Sequence, residues 1–212
     1  MEQGNLPTRR VNISTQKMLG GIGSILILLG LVAEIEILSI LSIVGFVLWL
    51  ISIYQLSKKL EKPNIFQNVL IGLILAVANT VIIFVLEALW EGIKPYVSMG
   101  DEVVGWILVG IIALYAIKVV SAYFYKQAFE ILASTTAHNL FRFVGLLIFI
   151  GVIIIPILYG SAFLLMYAGY ITIHAAKSLK DVFSPLLIDA GFYMMFAVAL
   201  FTAPNEVEVK GT

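Results

Sequence analysis

Four side chains could do chemistry within stretches that are otherwise apolar. Asp189 stands in the middle third of the segment Val182–Thr202. An intramembrane carboxylate is costly, so it is a functional candidate by default, suited to relaying a proton or cation. The plainer reading leaves residues 182–202 at an interface and Asp189 wet. Glu87 lies near the outer end of another apolar run, a turn or so from Glu91, where headgroups or water reach it. His174 ends a further run at its inner edge, and imidazole is the side chain that titrates near neutral pH. Such a histidine more often hydrogen-bonds a neighbour. Asn79 sits mid-segment, where an amide joins helices at about 1 kcal/mol per contact or touches a polar solute.

The stretch "KMLGGIGSILILLG", Lys17–Gly30, poses a different question. Its glycines suggest a phosphate loop, but a Walker motif needs Lys-Ser/Thr after the last glycine, and a dinucleotide fingerprint follows a strand. Gly23 is followed by "SILILLG", and nothing before it reads as a strand. Gly20 and Ser24, or Gly23 and Gly30, share a helical face instead, and small residues let helix backbones approach in lipid. Ala162, Gly169 and Ala176 repeat the device at seven-residue spacing, while Gly72 and Gly45 anchor similar faces. Packing is the reading.

Other chemistries lack their residues. The chain has no cysteine, which removes disulfides, thiol catalysis and cysteine-held metal. His138 and His174 are too far apart in sequence to suggest a metal site. Neither a serine elbow nor an HExxH helix occurs. The expectation is a non-enzyme without cofactor or metal. Tyr123–Lys126 suits lipid headgroups rather than nucleic acid, since it abuts an apolar span.

Composition sets the elements that must hold these residues. Of 212 residues, 61% are hydrophobic and 12% charged, with zero net charge. Mean hydropathy is +1.04. A soluble domain carries about twice that charged fraction. Uncharged runs cover Pro63–Leu86, Val103–Ile117 and Phe143–Ile173, and about 20 helical residues cross a bilayer. The pattern predicts a multi-pass protein of the cell membrane: a tail over 1–16, one helical domain over 17–202, and a polar tail over 203–212. Helices are expected near Met18–Ala33, Ile37–Tyr54, Ile65–Trp90 and from Glu102, with 121–139 continuing along or beyond the inner interface. A fifth starts near Leu140, turns at Pro156–Gly160 into a sixth ending near Ala176, and 182–202 is a seventh span. A weak echo of 51–71 in 171–188 would make a three-helix unit occur twice in one orientation. With the N-terminus in the cytoplasm, all basic residues but Lys94 and Lys210 fall inside.

"STQKMLGGIGSILILLG", "LSKKLEKPNIFQNVLIG" and "YKQAFEILASTTAHNLFRFVGLLIFIGVIIIP" resemble the archaeal and bacterial integral-membrane family known as domain of unknown function 996. The likeness runs from about Ser14 to Ala176. It implies a small helical membrane protein and brings no site residues. The "AEIEI" turn and the segment Val182–Thr202 depart from the family pattern.

The expected architecture is thus an all-α transmembrane bundle of seven spans, or six plus an interfacial helix. The expected role is that of a scaffold or accessory subunit acting through helix packing, with lipids, a second copy or a membrane protein as partners. The alternative is a small-solute or ion transporter using Asp189, Glu87, Asn79 and His174.

Overall fold

The computed structural model describes residues 8–32, 36–93, 101–167 and 185–210. Six helices follow one another: α1 (Ser14–Val32), α2 (Glu36–Lys59), α3 (Pro63–Ile93), α4 (Asp101–Thr136), α5 (Asn139–Tyr167) and α6 (Pro185–Thr202). Two short strands flank them, β1 (Thr8–Asn12) and β2 (Glu206–Lys210).

The strands lie within the stretches expected as tails. They pair antiparallel, Thr8 with Lys210 through Asn12 with Glu206. Alternation explains their place: Val11, Val207 and Val209 turn into the hydrophobic core, while Arg10 and Glu208 face out and pair at 3.5 Å. The sheet thereby ties both ends of the chain to one end of the bundle, called here the sheet end.

Local signals set the turns at that end. The Asn12 side chain accepts the N–H of Ser14 at 2.9 Å, satisfying one of the free amides that open α1. After α2, Glu61 adopts a left-handed conformation (φ 56°), and the N–H of Lys62 donates to the carbonyl of Ser57 at 3.0 Å. After α4, Ala137 (φ 54°) and the His138–Ala133 bond repeat this arrangement. Both are Schellman-type stops, made without the usual glycine. Pro63 then occupies the first turn of α3, where its missing N–H removes no helical bond.

One further expectation is corrected. The residues Pro156–Gly160 make no turn: α5 continues through them to Tyr167. Membrane helices tolerate proline because neighbours re-satisfy the freed carbonyl. The segment after Ser121 continues as a helix, as expected. It is the last part of α4, and Ala128, Phe129, Leu132 and Ala133 lie in the core. The described residues hold six helices, and most of the sixth span expected before Ala176 lies outside them.

The helices close a ring. α1 packs on α2 and α6, α3 on α4, α4 on α5, α5 on α6, and α2 touches α3 more briefly. Hydroxyl groups tie neighbours by donating to backbone carbonyls: Ser52 to Gln16 (2.7 Å), Ser121 to Gly72 (2.7 Å) and Tyr115 to Val152 (2.5 Å). The outward faces are apolar, as Met18, Ile22, Ile25 and Leu29 on α1 show. Among the described residues, three stretches are long and apolar enough to cross a membrane, Ser14–Leu31, Ile40–Lys59 and Pro63–Leu86.

Helix direction also overturns the repeat. α3 leaves the sheet end, whereas α6 returns to it, since Ala203 meets Lys17 and Thr202 meets His138. Units repeated in one orientation would run the same way.

Candidate functional site

The glycine cluster does what small residues permit. A Cβ on Gly23 would lie 2.7 Å from the carbonyl oxygen of Gly45, and one on Gly45 would lie 2.5 Å from that of Gly23. Gly20 faces Ser52 of α2 and Leu200 of α6, and Gly72 faces the Ser121 carbonyl and Tyr125 of α4. The four glycines are thus used between helices of one chain. Gly30 lies on α1, partly exposed. Ala162 belongs to α5, but its side chain lies outside the described residues, as do Gly169 and Ala176 altogether. Sequence reasoning missed Gly145, where a Cβ would meet Phe129 and Lys126 at 3.0–3.2 Å, and Gly21, which abuts the Phe201 ring. Gly145 stood within the "LFRFVGLL" motif, one turn past Phe141, and that spacing was the available signal.

At the sheet end lies a polar layer. Lys17, 6% exposed, reaches the end of α6, where its ammonium donates to the Ala203 carbonyl and to Asn205 Oδ1, the latter at 2.9 Å. A cation there meets the negative end of the helix dipole. Gln16 Nε2 donates to Gln55 at 3.1 Å, Lys59 Nζ donates to the Asn12 carbonyl, and His138 Nε2 lies 3.1 Å from Thr202 Oγ1.

Further from the sheet, helix packing leaves a cavity of about 470 Å³. Aromatic rings form much of its wall: Phe46 and Trp49 from α2, Tyr125 from α4, Phe192 and Tyr193 from α6. Ile148 and Val152 of α5 and Ile27 of α1 complete the opposite side. Beneath it Phe196, fully buried, meets Trp49, Phe129 and Phe141 with ring centroids 5.1–6.1 Å apart. Edge-to-face contacts of this kind hold rings in place. Among the described residues no charged side chain lines the cavity. The Trp49 indole N–H, buried, has no hydrogen-bond partner.

The transport candidates are not brought together. Asn79 is buried in α3, its Oδ1 without a partner. Glu87 lies on α3 and Asp189 on α6, but the side chains of both are outside the described residues, and so is His174. Along α6, position 189 precedes the lining residues Phe192 by three residues and Tyr193 by four. Among the described residues no cluster of three or more metal-ligating side chains occurs.

With that geometry in view, residues 41–171 match the family model described as "Protein of unknown function (DUF996)". The chain belongs to this family. The matched stretch of domain 996 starts within α2, so the α1 glycines, α6 and both strands lie outside it. The chain is also 29% identical over 174 residues to "Uncharacterized protein MJ1644" of Methanocaldococcus jannaschii, covering 81% of this chain and 96% of that protein. No solved structure matches.

Proposed function

We propose that this domain 996 protein is a multi-pass protein of the cell membrane with six crossings and both termini in the cytoplasm. It acts without catalysis, as a scaffold or accessory subunit built on close helix packing, among lipids and with a second copy or another membrane protein as partner. The observation that carries this reading is the combination of apolar outward stripes with glycine-mediated contacts inside the chain. A soluble protein would cover such faces with charge. Because Gly23 and Gly45 are used internally, a partner would meet the larger outward side chains instead.

The turns support this topology. α1, α3 and α5 leave the sheet end, and α2, α4 and α6 return to it, so the crossings are even in number. Arg9, Arg10, Lys17, Lys58, Lys59 and Lys62 gather there with Arg142 and Lys210, against Glu61, Glu206 and Glu208. That excess of basic charge supports a cytoplasmic placement of the sheet end. Thr8→Cys and Lys210→Cys, each a sole cysteine in a cysteine-free chain, test it. In intact cells neither should react with an impermeant maleimide, and both should react in inverted vesicles. Opposite labelling of the two would refute an even count.

A second reading, solute or ion transport through Asp189, is favoured by the place of position 189 on α6, shortly before the lining residues Phe192 and Tyr193. Native mass spectrometry of the mildly solubilised protein separates the two. A stoichiometric non-lipid ligand supports transport, and a co-purifying chain or stable oligomer carrying only lipid supports the scaffold.

A further inference from the structure

The cavity is not sealed inside the bundle. Ile43, one of its lining residues, is 66% exposed on α2. It stands in a row of outward apolar side chains with Ile40, Val44 and Val47. The mouth thus opens into the same belt that lipid bathes if the membrane placement above is correct. A water-soluble ligand would have to cross that belt to enter, whereas a hydrocarbon chain is already there.

The walls agree with the mouth. The lining is aliphatic and aromatic, and the Ser42 hydroxyl is already engaged with the Ile27 carbonyl at 3.3 Å. Among the described residues no charge lines the site, and none of them would compensate an ion for its lost hydration. Apolar walls hold water poorly, which favours a hydrocarbon occupant over solvent. Its volume of about 470 Å³ falls within the roughly 300–1,000 Å³ of small-molecule sites. Left empty, the ring faces would forgo their dispersion contacts on one side. The rings themselves are locked by their neighbours, Phe46 stacked on Trp49 at 5.9 Å and Tyr193 edge-on at 6.4 Å, so they do not collapse inward freely.

We propose that the cleft between α1–α2 and α4–α6 is a binding site for a single hydrocarbon chain of a membrane lipid, entering beside Ile43 and lying against Trp49. This goes beyond the scaffold reading and rests on its membrane placement.

Trp49 supplies the probe. It is 1% exposed, so bromine can come close to its ring chiefly by entering the cleft. Trp90→Phe and Trp106→Phe leave it the sole tryptophan, and the protein is reconstituted in phosphatidylglycerol vesicles with brominated acyl chains. In parallel, Ile22→Trp in a background with all three native tryptophans replaced by Phe reports on the outward face of α1. The expected result is that Trp49 emission is quenched as strongly as that of the Ile22→Trp reporter. Ile148→Phe or Val152→Phe, which fill the cleft from α5, should restore most of it. Quenching of the reporter with Trp49 unaffected overturns the lipid site alone. Trp49 quenching that both filling variants leave unchanged overturns it too, because the bromine then acts through the wall. An unquenched reporter means the protein is not embedded, and overturns the membrane reading on which the site depends.

Discussion

Gly23 of α1 and Gly45 of α2 face each other so closely that each would drive a Cβ into the other's carbonyl oxygen, at 2.7 and 2.5 Å. The obstacle on both sides is backbone, which cannot rotate away as a side-chain tip can. Gly23→Ala or Gly45→Ala should therefore force the helices apart and destabilise by about 1–3 kcal/mol, the usual range for overpacking. Thermal or SDS-induced unfolding in detergent measures it. Wild-type stability in both variants would show that the α1–α2 contact is looser than described.

Gly110 is the matched control. Among the described residues nothing lies within 4 Å of the place where its Cβ would be. Gly110→Ala should raise stability by roughly 0.5–1 kcal/mol, since alanine restricts the unfolded chain and suits a helix interior. The opposite signs at Gly23 and Gly110 separate close approach from propensity.

Ala137 ends α4 with φ 54°, a conformation that places Cβ against the following carbonyl. Ala137→Gly removes that clash at an exposed turn and should stabilise by about 0.5–1 kcal/mol. The unfolding midpoint should rise with an unchanged oligomeric state.

Lys17 fastens the last turn of α6 to the first turn of α1. In Lys17→Met the methionine fills the space, but the Ala203 carbonyl and Asn205 lose their charged donor. Hydrogen bonds to charged groups contribute about 1.5–3 kcal/mol, so a loss of that order is expected. It should appear first as faster amide exchange in Glu206–Lys210, whose strand leans on that junction. Unchanged exchange there would show that the sheet holds without the lysine.

Much of the helical outline was legible in the sequence. Uncharged runs long enough to cross a bilayer placed α1, α2 and α3 within a few residues, except that α2 continues five residues past Tyr54. The turn expected at Pro156–Gly160 failed because proline and glycine stop helices where water can take the freed backbone groups, and a packed apolar bundle offers that escape poorly. The strands escaped notice because each is five residues long and their partners stand nearly the whole chain apart. Short polar segments reveal no pairing until something brings them together.

The sequence by itself determined how apolar the helices are, how long their uncharged runs extend, and that Gly20, Gly23, Gly45 and Gly72 suit close packing. Hydropathy and small-residue spacing are local properties, readable within a few turns. Only the tertiary structure decided which helices those glycines join, that both termini meet in one sheet, and that Trp49, Tyr125, Ile148 and Phe192 enclose a common space. Those residues come from four helices, and their proximity depends on how the ring closes, a long-range balance of packing that no single segment encodes.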